Sequence, residues 1–266
     1  MMRQGNIIFN IGSSIPFISD LDASKVIEAI RSTGVTITPA MRHAAHYLIT
    51  NKKNIGTWQL SPAVYGMMGG TAAAHKWNWK DLRDVDAAFR LVFNGSFTHD
   101  SNGSKSNGGI ADTWLSNANF TLNSTHLSFY SKTLAGDNGA EFGYGNFRFF
   151  LNYQGTSYAD VYDTSSGRVS GLNNGNQGFF IANRSSSINN SIYKNGVLIA
   201  INTGSNSSTI PSFTSFGLFG RNSTSGAFDI SNKICALSSI GAGLTDAQAI
   251  QDSEIVKNYQ TILNRA

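Results

Sequence analysis

Paired carboxylates are the first chemistry to look for, because two of them at fixed spacing hydrolyse most glycosidic bonds. The chain contains only three glutamates, Glu28, Glu141 and Glu254. The first and last fall in segments with helical periodicity, and the residue two positions after Glu141 is Gly143. A strand of the form Glu-x-Asp-x-x-Glu, which would put a nucleophile and an acid on one face, is therefore absent. We expect no glycan-cleaving activity.

Other catalytic motifs are missing as well. The sequence has no Gly-x-Ser-x-Gly elbow and no Gly-x-x-x-x-Gly-Lys-Ser/Thr phosphate loop. Gly241-Ala242-Gly243 precedes a helix, but no strand follows that helix, so it does not indicate a dinucleotide site. The sequence predicts a protein that is not an enzyme.

Metal-binding residues give only partial patterns. His43 and His46 are three positions apart on a predicted helix, but we expect both to face solvent, opposite the apolar stripe, with no acidic or thiol ligand beside them. We therefore expect no zinc and no cofactor. Calcium, which takes oxygen ligands, is left open in the later loops. Its candidate ligands are Asp137, Asn138, Asp160 and Asp163.

A binding site for a glycan, if there is one, is expected on loops, since loops on a rigid sandwich are where such proteins usually bind ligands. The candidates for hydrogen bonding are His99, Asp100, Asn102 and Asn138, and the candidates for stacking are Tyr144 and Tyr158.

Composition narrows the class of partner. Of the 266 residues, 14% are charged, the net charge is +4, and Lys52-Lys53 is the only adjacent basic pair. This disfavours nucleic acid. No apolar run is long enough for a membrane span or a signal peptide. We expect synthesis in a cytoplasm without export.

The elements that position these residues begin with a helical hairpin over residues 20–56. Asp20 or Asp22 is the predicted first N-cap, Gly34 the stop, and Thr38-Pro39 the start of the second helix. One face of the second helix is apolar and consists of Met41, Ala44, Ala45, Leu48 and Ile49. We predict that this stripe is buried against another subunit or a partner, which makes the hairpin an attachment element.

In the middle of the chain, apolar and polar residues alternate with the two-residue period of β-strands. His75, Trp77 and Trp79 alternate with polar residues and predict a half-buried strand, with the indoles packed between the helices and the sandwich. Asn195-Gly196 predicts a type I′ turn. That turn sets Tyr193 opposite Leu198, Ile192 opposite Ile199, and Ser191 opposite Ala200, in a ribbon that we place inside the layers. Near the end, Thr245 and Gln248 form a predicted capping box for a final helix.

The hairpin and the segments after it resemble concanavalin A-like, laminin-G-like jelly rolls. The resemblance rests on Ser191 to Ala200, Leu218-Phe219-Gly220-Arg221, Phe228, Ala236-Leu237-Ser238 and Leu244-Thr245-Asp246-Ala247. It implies a mainly β protein: an antiparallel β-sandwich carrying an N-terminal helical hairpin and a C-terminal helix. The expected division is 1–56 (attachment), 57–243 (jelly roll) and 244–266 (docked helix).

Three further blocks resemble virion proteins of tailed phages, chiefly of phages that infect Bacteroidetes. They are Gly69-Gly70-Thr71-Ala72 with His75-Lys76 and residues 78–91, then Leu122-Asn123 with His126 to Ser131, then Ser239-Ile240-Gly241 with Gly243 to Ala247. The resemblance implies location in a virion, contacts with other virion proteins and a homo-oligomer.

Three functions follow, in order of preference. The first is a structural or fibre-like virion component whose jelly roll contributes to adsorption on the host surface. The second is a lectin-like module that binds host glycans, and the third, a glycan-cleaving enzyme, is disfavoured by the missing carboxylate pair.

Overall fold

The computed structural model describes residues 20–134, 136–162, 167–173, 175–204 and 209–266. Its α-helices are α1 (Leu21–Ser32), α2 (Pro39–Asn54), α3 (Thr57–Leu60), α4 (Ala72–His75) and α5 (Asp246–Ile262). Its strands are β1 (Ala63–Tyr65), β2 (Val92–Asn94), β3 (Phe97–Asp100), β4 (Gly103–Ser106), β5 (Ile110–Asp112), β6 (Thr125–Ser131), β7 (Phe142–Tyr144), β8 (Phe147–Tyr153), β9 (Thr156–Asp160), β10 (Val169–Leu172), β11 (Gly178–Ser186), β12 (Asn189–Lys194), β13 (Val197–Asn202), β14 (Gly217–Leu218) and β15 (Ile234–Gly241).

Two antiparallel sheets form a sandwich, which confirms the predicted fold class. One sheet has the order β13-β12-β11-β6-β15-β4-β3, with β1 added beside β15, and the other has the order β10-β9-β8-β7-β14-β5-β2. Phe129 and Phe180 from the first sheet meet Phe142 and Phe149 from the second in the core between them.

The helices form a third layer on the outer face of the first sheet. Tyr130, Phe179 and Ile181 point away from the inter-sheet core and pack in one cluster with Leu48 of α2 and Val256 of α5. Both faces of this sheet are covered, so apolar residues follow one another along strand β11 instead of alternating with polar residues. The outer face of the second sheet lies on the opposite side of the sandwich.

Sequence signals for the helix ends are confirmed. The Asp20 side chain accepts from the backbone N–H groups of Asp22 and Ala23 at the start of α1. Thr38 caps α2, with Pro39 as its first residue, and Thr245 with Gln248 forms the capping box of α5. In the described part of the chain, no helix combines the length and apolar character that crossing a bilayer requires.

The apolar stripe of α2 is covered by the chain itself, which differs from the predicted attachment face. Ala44, Ala45, Leu48 and Ile49 are all 0% exposed, and Met41 is partly buried. They pack with α1, α5 and the first sheet. Helix α5, which is far from α2 in the sequence, forms part of this cover.

The histidines of α2 do not share one environment. His43 is exposed, as predicted, but His46 is buried, so that half of the prediction is wrong. His46 is buried because the start of α1 packs against it: His46 Nδ1 accepts from the Asp20 N–H at 3.1 Å. Burial lowers the pKa of His46.

The predicted strand at His75 to Trp79 is wrong. His75 ends the short helix α4, and Asn78 starts a turn with Asp81. The Asn78 amide, fully buried, accepts from the Val64 N–H at 3.0 Å and donates to the Ala88 carbonyl at 3.0 Å. These local hydrogen bonds take the place of the strand pairing that was predicted. The indoles of Trp77 and Trp79 do pack in the cluster beneath the helices.

The β12–β13 hairpin has the predicted turn but a different register. Asn195 and Gly196 both have positive φ, 51° and 81°, and Tyr193 faces Leu198. Ile192 then faces Ala200 rather than Ile199, because Ile199 is an extra residue in a β-bulge. Strand β13 is also the edge of its sheet, not an inner strand, and its exposed side chains are Val197, Leu198 and Ile201.

Candidate functional site

Strands β8, β9 and β10 lie side by side at one end of the second sheet, and alternation sorts their side chains. Phe147, Phe149 and Leu151 point into the inter-sheet core. Arg148 and Phe150, between them, therefore point outward. This outward face is on the side of the sandwich away from α1, α2 and α5.

Cross-strand pairing brings the outward residues together. Phe150 faces Tyr158, and Tyr158 faces Ser170, so one row crosses all three strands. In the next row, Arg148 faces Asp160. Residues directly opposite on one face of antiparallel strands lie close enough to interact.

These rows form one wall of a groove of about 560 Å³. Its lining residues are Arg148, Tyr153, Gln154, Thr156, Tyr158, Arg168, Ser170, Arg221 and Asp229. The groove is thus built from three adjacent strands together with the segment around Arg221.

Asp160 holds two of the arginines in place. Its Oδ2 accepts from Arg148 Nε at 2.7 Å and from Arg168 Nη2 at 2.8 Å, and its Oδ1 accepts from Arg168 Nε at 2.6 Å. Asp160 is fully buried, whereas the side chains of Arg148 and Arg168 are 17% and 36% exposed. The hydrogen bond to Asp160 raises the pKa of Arg168 above its usual range.

The third arginine has a carboxylate partner of its own. Arg221 Nε donates to Asp229 Oδ2 at 2.8 Å, and Nη1 donates to the Gly145 carbonyl. Its guanidinium carbon also lies 4.0 Å from the centroid of the Phe228 ring. Arg221 is therefore fixed by contacts within its own segment and with the β7–β8 turn.

The two tyrosines of the groove differ in exposure. Tyr158 is 7% exposed, because the Phe150 ring stacks on it at 4.6 Å between centroids and the Arg168 guanidinium lies 4.5 Å from its centroid. Burial raises the pKa of Tyr158. Tyr153 meets both of these rings edge-on and is 40% exposed, so its ring is the one that remains free to stack on a ligand.

The sequence candidates for glycan binding do not come together. His99 and Asp100 are on β3 and Asn102 is in the turn after it, at the edge of the other sheet. His99 Nδ1 lies 3.1 Å from His75 Nδ1, and Asp100 Oδ1 accepts from the Asn102 N–H at 2.7 Å. Asp100 and Asn102 stabilise their own turn, His99 contacts His75, and all three lie outside the groove.

The remaining candidates divide. Tyr144 stacks on Phe213 at 5.0 Å between centroids, is partly buried at the edge of the core and does not line the groove. Asn138 Oδ1 accepts from the N–H of Gln154, a lining residue, at 2.9 Å, so Asn138 lies next to the groove but is not one of its lining residues. Tyr158 does line the groove, but as a support for arginines rather than as a free ring.

The candidate calcium ligands have other partners. Asp160 is bound by Arg148 and Arg168, Asn138 by Gln154, and Asp137 by Lys233. Asp163 lies outside the described residues. Among the residues that the structure describes, no three acidic, histidine or cysteine side chains form a group able to hold a metal ion.

Most of the groove was missed by sequence reasoning. Alternation in Phe147-Arg148-Phe149 and in Ser157-Tyr158-Ala159 was the signal that could have placed Arg148 and Tyr158 on an outward face. No local pattern places Arg221 and Asp229 there, because they reach the groove from a segment far away in the sequence.

No protein-family model matches the chain, and no curated protein matches it. Solved structures are similar at low identity. Domain 4 of an extracellular GH43 arabinanase from Geobacillus stearothermophilus, solved with arabinotriose, has a TM-score of 0.43 and 16% identity, over 73% of this chain and 98% of that one.

Two sialidases are also similar. The NanB sialidase of Streptococcus pneumoniae has a TM-score of 0.45 and 14% identity over 60% of this chain. The Trypanosoma rangeli sialidase, solved with sialic acid, has a TM-score of 0.41 and 15% identity over 64%. The chain spans only 27% and 30% of their lengths. The fold described above therefore rests on the strand pairing of this chain.

Proposed function

We propose that this chain is a glycan-binding protein without catalytic activity, and that the sugar binds in the groove on β8, β9 and β10. The observation that carries the proposal is the pairing of one exposed ring, Tyr153, with a dense set of hydrogen-bonding side chains in an open groove. A sugar has an apolar face that packs on an aromatic ring and hydroxyl groups that need polar partners. Gln154, Thr156 and Ser170 supply neutral partners beside the ring.

The carboxylates near the groove support binding rather than hydrolysis. Asp160 and Asp229 each accept hydrogen bonds from guanidiniums. Glu141 is fully buried and bound to Lys233, at 2.8 Å, and to the Leu151 N–H. Acid catalysis needs a carboxyl group that reaches the scissile bond and gives up a proton near neutral pH. Asp160 and Glu141 are fully buried, and Asp229, which lines the groove, is paired with Arg221.

A glycan array probed with labelled protein tests the proposal. We expect binding to a subset of glycans, with reducing-end release from none of them. Tyr153→Ala should weaken that binding about fivefold or more, taking the about 1 to 3 kcal/mol that a base gains by stacking on an aromatic side chain as the scale. Trp114→Ala is the matched control, because Trp114 is similarly exposed, at 37%, and lies outside the groove.

A place in a virion is a second proposal, and it rests on the three sequence blocks. Two of these blocks form neighbouring central strands: Leu127 of β6 faces Ile240 of β15, and Ser128 faces Ser239. These two blocks therefore lie side by side in the sheet beneath the helices, whereas the groove lies on the other sheet. In this proposal the chain is a structural or fibre-like component that uses the groove for adsorption to host glycans.

Mass spectrometry of purified particles tests the virion proposal. The chain should co-purify with particles at a fixed ratio to other virion proteins and persist through density-gradient separation. Its presence in the infected-cell lysate together with absence from the particles would contradict the proposal. The glycan proposal would stand in either case.

A further inference from the structure

Resting on the proposed function, we infer that the groove selects acidic glycans and that Arg148 and Arg168 bind the carboxylate of an anionic sugar. The inference concerns the class of ligand. It is carried by the charge balance of the groove and by guanidinium nitrogens left over from the contacts with Asp160.

The charges of the groove do not cancel. Arg221 is matched by Asp229, so that part is neutral. Among the described residues, Arg148 and Arg168 share the carboxylate of Asp160, which leaves one positive charge at this end of the groove. The other lining side chains are neutral: Tyr153, Gln154, Thr156, Tyr158 and Ser170. The unmatched charge fits a ligand group that carries one negative charge.

The hydrogen-bonding capacity is also incomplete. Asp160 engages Nε of Arg148 and both Nε and Nη2 of Arg168. Among the described residues, Nη1 and Nη2 of Arg148 and Nη1 of Arg168 have no hydrogen-bond partner, although both side chains are partly exposed in the groove. These nitrogens lie on neighbouring guanidiniums that one buried carboxylate holds together.

Preorganisation makes this pair suited to a carboxylate. A guanidinium presents its donors in a planar fork that matches a carboxylate, and charge-assisted hydrogen bonds are about twice as strong as neutral ones. The rings of Phe150 and Tyr158 lie beneath Arg148, at 5.8 and 5.6 Å from its guanidinium carbon. Both arginines are therefore fixed before the ligand arrives, which reduces the entropy lost on binding.

The test compares three matched families of oligosaccharide by calorimetry: uronate-containing chains, the same chains after reduction of their carboxyl groups, and sulfated chains. We expect the uronates to bind at least tenfold more tightly than their reduced counterparts. Arg168→Gln should weaken uronate binding about tenfold more than it weakens binding of the reduced chains. Arg83→Gln is the control, since Arg83 also pairs with an aspartate but is exposed and outside the groove.

The outcomes separate the inference from the proposed function. Equal affinity for uronates and their reduced counterparts overturns the inference and leaves glycan binding intact, whereas no binding to any family overturns the proposed function as well. Binding of sulfated chains alone overturns the assignment to a carboxylate. If Arg168→Gln fails to fold, the salt dependence of the wild-type protein decides: uronate affinity should fall several-fold between 50 and 500 mM NaCl while neutral affinity holds, since salt screens a partly exposed ion pair over about 10 Å or less. A flat dependence for both would overturn the inference.

Discussion

Asp160 has no exposed surface, yet two groove arginines take their positions from it. The two guanidiniums that it binds are only partly exposed, so water reaches the arginines but not the carboxylate. The structure thus uses a buried anion to hold two cations at the surface. A ligand that meets those cations does not have to displace Asp160.

Asp160→Asn should lower the free energy of unfolding by about 2 to 3 kcal/mol, since it leaves two half-buried guanidiniums without their anion. The measurement is urea denaturation. Asp81→Asn, which removes the charge partner of the exposed Arg83, is the control and should change stability little. An unchanged midpoint for Asp160→Asn would contradict the role assigned to this carboxylate.

Two buried histidines should make stability depend on pH. Burial lowers the pKa of His75 to about 3 and that of His126 to about 4. His75 Nε2 accepts from the Gly70 N–H, which requires its neutral form, and His126 Nδ1 donates to the Ala242 carbonyl, 2.6 Å away. The folded state therefore binds these protons less readily than the unfolded state does.

Because both folded pKa values are depressed, stability is fully present above about pH 6.5, the unfolded value, and is lost as the pH falls below it. At pH 5 we expect a loss of about 2 kcal/mol for each imidazole relative to pH 8. Urea denaturation at both pH values measures it, and His126→Gln should remove about half of the dependence. Equal stability at pH 8 and pH 5 would show that the two imidazoles are accessible to protons in the folded state.

At the scale of elements, helices α2 and α5 are joined by an ion pair that is hidden from solvent. Lys52 Nζ lies 2.5 Å from Asp252 Oδ1, with both side chains at most 1% exposed, and the Thr57 hydroxyl donates to the same oxygen. Lys52 and Asp252 are 200 positions apart in the sequence. It supports the packing that covers the stripe of α2.

Lys52→Met should cost about 3 to 5 kcal/mol of unfolding free energy, because it leaves Asp252 buried without a counter-ion. The double variant Lys52→Met with Asp252→Leu should recover most of that loss, since a well-packed apolar pair can replace a buried ion pair. Thermal or urea denaturation of the two single variants and the double variant closes the cycle. Additive losses in the double variant would mean that the two groups are not coupled.

Local chemistry explains which elements were predictable. The caps at Asp20, Thr38 and Thr245 and the Asn195-Gly196 turn depend on neighbours within a few residues, so the sequence carries them directly. The bulge at Ile199 and the edge position of β13 depend on the far side of the sheet and could not be inferred from the hairpin. Tyr158 was proposed as a stacking residue on a loop, but it lies in strand β9, and its burial under Arg168 depends on another strand.

At the scale of the whole molecule, the helical hairpin belongs to the same packed unit as the sandwich. Its apolar residues share one cluster with the first sheet and with α5. The expected boundary at residue 56 separates segments that are joined in the core by Trp58 and by the pair of Lys52 with Asp252. Composition could suggest a linker there, but the return of α5 is a long-range contact with no local signal.

Deletion of residues 1–56 should therefore expose the outer face of the first sheet, and we expect the truncated protein to aggregate or to lose its cooperative melt. Calorimetry and size-exclusion chromatography measure both. Deletion of residues 1–19 alone keeps α1 and α2 in place and is the control. A cooperative melt of the 57–266 fragment with loss of oligomers would instead restore the attachment function for the hairpin.

Hydrogen exchange of backbone amides, with and without a saturating glycan taken from the array, locates the bound sugar directly. If the glycan binds on β8, β9 and β10, exchange should slow in residues 147–160 and 168–172, which form the groove, and stay unchanged in residues 97–106, where His99, Asp100 and Asn102 lie. Protection confined to residues 97–106, with the groove unaffected, would show that the glycan does not bind on β8, β9 and β10.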